Sequence, residues 1–415
     1  VELEESELIY DWNRPLGFIF RHKTGFQLND ETLRDGLQST SVRDPSIEQK
    51  LRILHLMEDL RLDAADLGLP GAGVRAMEDI ERLAQEIVQC KMRISPNLAV
   101  RTVVSEVEAV VRLSERVGMP IEACTFIGSS AIRRYTEGWD IDHILRLSED
   151  AVRFGADHGI PVCYVTEDTT RAEPEILNRL YSAAIAAGAT RIVIADTVGH
   201  ATPVGVRNLV KYVMGIVKKS GANVKVDWHG HSDRGIGIPN AMMAIASGAD
   251  RIHATALGIG ERCGNVPMDL LLVNLKLEGI LDRDLSMLRR YVDEVSTATG
   301  VAIPPNYPVF GENAFRTSTG VHAAAIAKAR RKGAARLADL VYSGVPASMF
   351  GSEQKIEIGF MSGKSNVVYC LESRGIEPDE ALVTRILDEA KRASTVLSED
   401  RIDEIVAAYR RGGSQ

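Results

Sequence analysis

The segment Asp227-Trp228-His229-Gly230-His231-Ser232-Asp233 sets two imidazoles two residues apart at the end of an apolar run. Residues at that spacing on an extended strand face one side, so both rings can converge on a single cation. A carboxylate to join them is available in Asn29-Asp30-Glu31-Thr32-Leu33-Arg34-Asp35-Gly36-Leu37-Gln38, where acids and an arginine leave another apolar run together. With Asp35 added, two imidazoles and one carboxylate would hold a divalent ion and leave positions open for water or substrate. Gly36 would let the backbone come close to such an ion or a ligand. Plainer roles fit the same residues: a helix cap with a surface ion pair for one segment, structural histidines for the other. A third segment, Gly258-Ile259-Gly260-Glu261-Arg262-Cys263-Gly264-Asn265, reads as a flexible loop able to close over a neighbouring site, or as an ordinary turn. Cys263 has no activating base nearby in sequence and is read as a plain small residue.

Each segment leaves the end of a short β-rich run. Such runs are read at Phe26–Asp30, Asp63–Leu67, Lys91–Ser95, Ile121–Phe126, Pro161–Thr166, Arg191–Ala195, Asn223–His229 and Arg251–Thr255. Amphipathic helical stretches separate them, for example Ser46–Leu60, Val103–Val117, Ile141–His158, Glu173–Ala187, Pro203–Lys219 and Pro239–Ser247. Strands alternating with helices make a parallel sheet with right-handed crossovers, and eight of them close an α/β fold of the (β/α)8 TIM-barrel type. In that fold the active site is built at the carboxyl ends of the strands, where all three segments fall.

Gly300, Pro304, Pro305 and Pro308 then break the pattern. The expected organisation is an N-terminal extension over 1–24, the barrel over 25–299, a linker over 300–310, a small α+β domain over 311–360 and a C-terminal helical segment over 361–415. Within these, Val321–Lys332 reads as a helix and Pro378–Gly412 as two helices around Ser398. A chain of 415 residues exceeds what one core usually supports, which agrees with a barrel plus an appended domain.

The totals narrow the function classes. A formal charge of -8 gives no footprint for nucleic acid, and the basic cluster Lys328 to Lys332 reads as a solvated helix face. No run approaches the ~18 apolar residues of a membrane span. The five cysteines are scattered and never form a C-x-x-C pair, which argues against a disulfide framework or a thiolate zinc site and fits the reducing cytoplasm. The opening residues Glu2, Glu4, Glu5 and Glu7 do not read as a secretory signal.

Several ordered motifs carry a resemblance. Leu33–Gln38 (LRDGLQ) resembles the first-strand LRDGEQ signature of the acyl-transferring metalloenzymes that include 2-isopropylmalate, homocitrate, citramalate and Re-type citrate synthases, with HMG-CoA lyase more distant. His229–Asp233 (HGHSD) resembles their HxHND metal segment, Gly258–Asn265 (GIGERCGN) their GIGERAGN loop, Asp196–Gly199 their DTVG and Glu167-Asp168 their ED. Gly311–Phe315 (GENAF) and Ser318–His322 resemble segments of the condensing members. The resemblance runs from about residue 25 to 375.

It implies an acyltransferase that condenses acetyl-CoA with a 2-oxo acid, of the 2-isopropylmalate synthase type, with 2-oxoisovalerate as acceptor in leucine biosynthesis. Homocitrate, citramalate or citrate formation are the alternatives, with lyase-type cleavage or a non-catalytic oxo-acid sensor behind them. Asp35, His229 and His231 would bind a divalent zinc, manganese or magnesium ion, and Asn265 would complete or support its shell. Arg34 would stabilise the developing alkoxide. Gln38, Glu167 and Thr197 would orient substrate, and Glu167 would also suit a proton carrier. His322 and Tyr342 match a pair that assists enolisation of acetyl-CoA in the partner's active site, implying a homodimer with shared sites. Three departures stand out: Leu37 replaces the motif's glutamate, Ser232 its asparagine, and Arg133 a histidine that often follows the fourth strand. The stretch Ile127–Tyr135 is closer to the fungal homocitrate synthase pattern. Arg133 in the pocket would pair with a second substrate carboxylate; pointing outward it would face solvent, or bind the CoA phosphates. GENAF, His322 and Tyr342, and the lack of a lyase GCP loop, favour condensation over cleavage. The chain ends about a helical hairpin past the small domain, so a leucine-binding regulatory domain is not expected.

Overall fold

The computed structural model describes residues 8–10, 12 and 25–412. Apart from 8–10 and 12, the extension read over 1–24 lies outside the described residues. Eight parallel strands close a barrel in sequence order: β1 (Gln27–Asp30), β2 (Ala64–Asp66), β3 (Ser95–Arg101), β4 (Glu122–Gly128), β5 (Val162–Glu167), β6 (Arg191–Asp196), β7 (Lys225–Gly230) and β8 (Arg251–Ala254). The ring shuts where Leu28 of β1 lies opposite Ile252 of β8.

The third strand was expected at Lys91–Ser95 and instead begins at Ser95. Lys91 has a φ of 53° and belongs to the turn that ends the preceding helix. Pro96 lies near the strand's entry, a position where a missing N–H is tolerated, and Leu98, Ala99 and Val100 behind it are buried.

The helices form for local reasons that also aim their apolar faces at the strands. Ser46 caps Ile47–Asp59 by accepting from the Gln49 amide, while the Gln49 side chain accepts from the Ser46 amide; Ile53, Leu54 and Met57 are then buried. Helices Val74–Gln89, Met268–Leu277 and Leu288–Thr299 complete the outer layer beyond the stretches read from the sequence.

Period-two alternation sends one set of strand side chains into the lumen. At its floor Arg191 of β6 donates to Asp227 of β7 at 2.8 Å and to Gln27 of β1 at 2.7 Å. Arg251 of β8 donates to Asp227 at 2.7 Å and to Glu122 of β4 at 2.6 Å. β4 and β8 are not neighbours in the ring, so these bonds cross the interior. Burial alone would push the Asp227 carboxyl up, but Arg251, His253 and Arg191 hold it well below the usual range.

The other strand face meets the helices. Asp30 is buried there, accepting from the Thr32 amide at 2.8 Å and from the Tyr291 hydroxyl. Burial raises its carboxyl to about 6, although those hydrogen bonds oppose the rise. A folded-state value above the ordinary one means the native state holds this proton more tightly. Its contribution is complete below the unfolded value near pH ~4 and is lost as pH rises through about 6, on the order of 3 kcal/mol in all. Asp30→Asn is therefore expected to flatten the decline in unfolding free energy between about pH 4 and about pH 6, measured by urea titration. An unchanged slope would refute that assignment.

The chain divides into two compact units between Ala302 and Ile303. The second contains a two-stranded parallel sheet, β9 (Arg316–Thr317) with β10 (Lys355–Ile356), and helices Gly320–Arg331, Ala335–Leu340, Lys364–Ser373, Glu380–Arg392 and Glu399–Gly412. Val367, Leu371, Leu382, Ile386 and Ile405 build its core. Among the described residues no helix is long and apolar enough to cross a membrane.

Candidate metal centre and active-site cavity

At the carboxyl mouth of the barrel, Asp35 follows β1 while His229 and His231 lie at the end of β7. His229 Nε2 is 3.3 Å and His231 Nε2 3.6 Å from Asp35 Oδ2. The three side chains offer ligand atoms within 4.8 Å of one another. Burial, and then the neighbouring charge of His229, lower His231 to about 4. It is therefore neutral at physiological pH, the form in which imidazole ligates a cation. Two buried polar atoms beside this group, His231 Nδ1 and Asn265 Oδ1, have no hydrogen-bond partner. Asn265 is bridged to His231 through its backbone, and its amide nitrogen donates to Ile259 O at 3.1 Å. Neutral nitrogen, carboxylate oxygen and an unpartnered amide oxygen form a donor set that suits a divalent metal.

Glu31, to which sequence reasoning gave no role, organises the centre. Its Oε2 is 3.0 Å from His229 Nδ1 and accepts from Arg34 Nη2 at 2.8 Å. Its Oε1 is 2.7 Å from His253 Nδ1, and His253 Nε2 is 3.3 Å from Asp227. A chain of contacts thus runs from the floor to the ligand ring and fixes which nitrogen of His229 is turned toward Asp35. Burial works to raise Glu31, yet Arg34, His229 and His253 hold it well below the ordinary range. Arg34 also donates from Nε to Asp66 at 2.8 Å. Burial brings Asp66 up to about 6, with Arg34 opposing and Glu31 adding to the rise. The available signal was the alternation Gln27, Asn29, Glu31, which carries the lumen face of β1 one step past its last residue.

A cavity of about 220 Å³ opens above these groups. Arg34, Asp35, Gln38, Glu167, Thr197, His229 and His231 all line it, so seven of the proposed site residues converge. Gln38 accepts from Arg34 at 3.4 Å, and the Thr197 hydroxyl accepts from the Asp168 amide at 2.8 Å. Glu167 is raised, first by burial, with Arg133 opposing and Asp168 reinforcing. Leu69, Ala99, Phe126, Val165 and Val193 give the cavity an apolar wall. Arg133 stands behind the lining, 3.1 Å from Glu137 and 3.7 Å from Glu167. His322 and Tyr342 belong to the second unit, where their rings stack at 3.9 Å and Tyr342 is exposed.

Two expectations change. A Cβ on Gly36 would meet the Ile259 side chain at 3.0 Å, so the open backbone there admits a loop residue rather than a ligand. The glycine-rich loop is tightly wound: Asn265 donates to Gly258 O at 2.9 Å, and Gly264, at φ 84°, has no room for a Cβ. Arg262 anchors it by donating to Asp233 and to the Thr197 carbonyl. Ser232, in the place of the motif's asparagine, donates to the Asn265 carbonyl at 2.9 Å and joins β7 to this loop.

Homocitrate synthase AksA of Methanopyrus kandleri is 31% identical over 383 residues, 91% of this chain and 90% of that one. A probable 2-isopropylmalate synthase of Ignicoccus hospitalis is 31% identical over 391 residues, with 91% and 90% covered. Among solved structures, the HMG-CoA lyase of Brucella melitensis aligns with a TM-score of 0.55 at 16% identity, over 66% of this chain and 98% of that one, which supports the barrel fold. The family model described as HMGL-like matches residues 25–295, the stretch that folds as the barrel and carries every candidate ligand described above, and the chain belongs to that family.

Proposed function

We propose that this chain joins the acetyl group of acetyl-CoA to a 2-oxo acid, with 2-oxoisovalerate as acceptor and 2-isopropylmalate as product, in leucine biosynthesis. The observation that carries this reading is the convergence of Asp35, His229, His231 and Arg34 at one end of a cavity whose wall is apolar. A divalent zinc, manganese or magnesium ion held by Asp35, His229 and His231, with Asn265 in support, would supply Lewis acidity to the acceptor's ketone and carboxylate. Arg34 presents a fixed guanidinium to the ketone oxygen as negative charge develops there. Gln38 and Thr197 orient the acceptor. Glu167, which keeps its proton to higher pH than an ordinary carboxyl, suits delivery of a proton to that oxygen. The acetyl methyl must lose a proton before its carbon bonds to the ketone carbon, and water then cleaves the thioester to release CoA. His322 and Tyr342 are assigned to that deprotonation, in the site of a second copy within a homodimer. The five cysteines, all unpaired, agree with a cytoplasmic location.

The relatives' names span several acceptors, and Arg133 favours a second reading. Released from Glu137, its guanidinium would be one side chain away from the cavity and would pair with the distal carboxylate of a dicarboxylic acceptor. Metal-loaded protein given acetyl-CoA and a panel of 2-oxo acids is expected to release CoA fastest with 2-oxoisovalerate. Arg133→Ala should change that rate less than about threefold. A selective loss of about tenfold or more on 2-oxoglutarate or oxaloacetate would establish the second reading instead. Absence of CoA release with every acceptor would remove both.

A further inference from the structure

Among the described residues two groups of metal-ligating side chains lie apart from the centre above. In the group Glu122, Cys124 and Cys163 both thiols are buried and guanidiniums engage both carboxylate oxygens, Arg191 one and Arg251 the other, which leaves none for a cation. We propose that the other group, His55, Glu86 and Cys90, is a second metal site, on the helical exterior of the barrel, selective for zinc-like borderline-soft divalent ions.

His55 lies on helix Ile47–Asp59, Glu86 in the last turn of helix Val74–Gln89, and Cys90 at that helix's end. The Cys90 amide donates to the Glu86 carbonyl, so the two side chains stand one turn apart on the same face. His55 Nε2 is 2.8 Å from Glu86 Oε1, and the Cys90 thiol donates to that same oxygen at 3.4 Å. Arg82 occupies the other carboxylate oxygen at 2.8 Å. One oxygen is thus approached by a nitrogen and a sulfur, with all three ligand atoms within 4.8 Å of one another. His55 is 46% exposed, so a hydrated ion can reach them. Sulfur, nitrogen and oxygen with a position left for water match tetrahedral zinc, whereas magnesium prefers oxygen alone. The ion would clamp together the helices that follow β1 and β2, the strands that deliver Arg34, Asp35 and Asp66.

Chelator-treated protein titrated with Co2+ is expected to develop a thiolate-to-cobalt charge-transfer band, which the sulfur-free Asp35, His229 and His231 set cannot produce. Cys90→Ser and His55→Gln should each abolish it while leaving circular dichroism and any CoA release unchanged. Zn2+ should raise the Tm of the parent by several degrees more than that of Cys90→Ser. A parent with no band overturns the site, as does a band that survives Cys90→Ser and disappears in Cys263→Ser. The band needs no turnover, so its outcome stands apart from that of the condensation assay.

Discussion

Asp35→Asn is expected to bind Zn2+ or Mn2+ at least about 100-fold more weakly than the parent and to release CoA no faster than the metal-free protein. The carboxylate is the only anionic member of the three-residue ligand set, and both imidazoles approach the same oxygen of it. An amide offers one weaker oxygen there and leaves two rings competing over a neutral neighbour. Calorimetric titration of the chelated chain reads the affinity directly, independently of any assay of turnover. Metal added back after chelation should restore the parent and leave the variant silent. A variant that titrates like the parent would show that the ion, if bound, sits elsewhere.

Arg34→Ala should lose both rate and stability, for separable reasons. Arg34 is almost enclosed, with Glu31 and Asp66 each 2.8 Å away. Removing it takes the basic partner from buried Asp66 and leaves Glu31 with only His229 and His253, a loss of about 3–5 kcal/mol by analogy with other broken buried pairs. Removing the same guanidinium from the ketone oxygen should lower kcat/KM by roughly 10²–10³. Arg34→Lys distinguishes the two effects. An ammonium keeps the charge, so much of the stability should return, but it cannot serve Glu31, Asp66 and substrate with one planar fork. Urea unfolding and CoA-release kinetics on the two variants test this. If lysine restored full activity, the argument from guanidinium geometry would fail.

The candidate ligands were legible because H-x-H at a strand end is a local pattern: two rings on one side need no knowledge of the rest of the fold. Asp35 was legible because it leaves β1 beside an arginine. Glu31, Asp66 and His253 were not, since each acts through a residue of another strand. His253 matters because β8 closes onto β1 and brings it within 2.7 Å of Glu31, a register that no local spacing encodes. The barrel as a whole showed through its alternation of strand and helix. Its third strand slipped in the reading because Pro96 looks like an end and is in fact near a beginning. The loop glycines were read as a flexible loop or an ordinary turn, and the structure winds them closely, a distinction that depends on φ and on neighbours rather than on composition.

β7 and the residue that follows it place Asp227, His229 and His231 at successive alternate positions, so one segment bears both an anchor of the floor and two proposed ligands. Alternate residues along a strand are separated by about 6.6–6.8 Å, and that backbone repeat acts as a ruler spanning the depth of the barrel. A slip of one residue would rotate all three outward together, losing the ionic floor and the ligand ring in a single event. Faulty copies of this protein should then be wholly inert rather than sluggish, and the specific activity of an imperfectly refolded sample should report the fraction of chains in correct register.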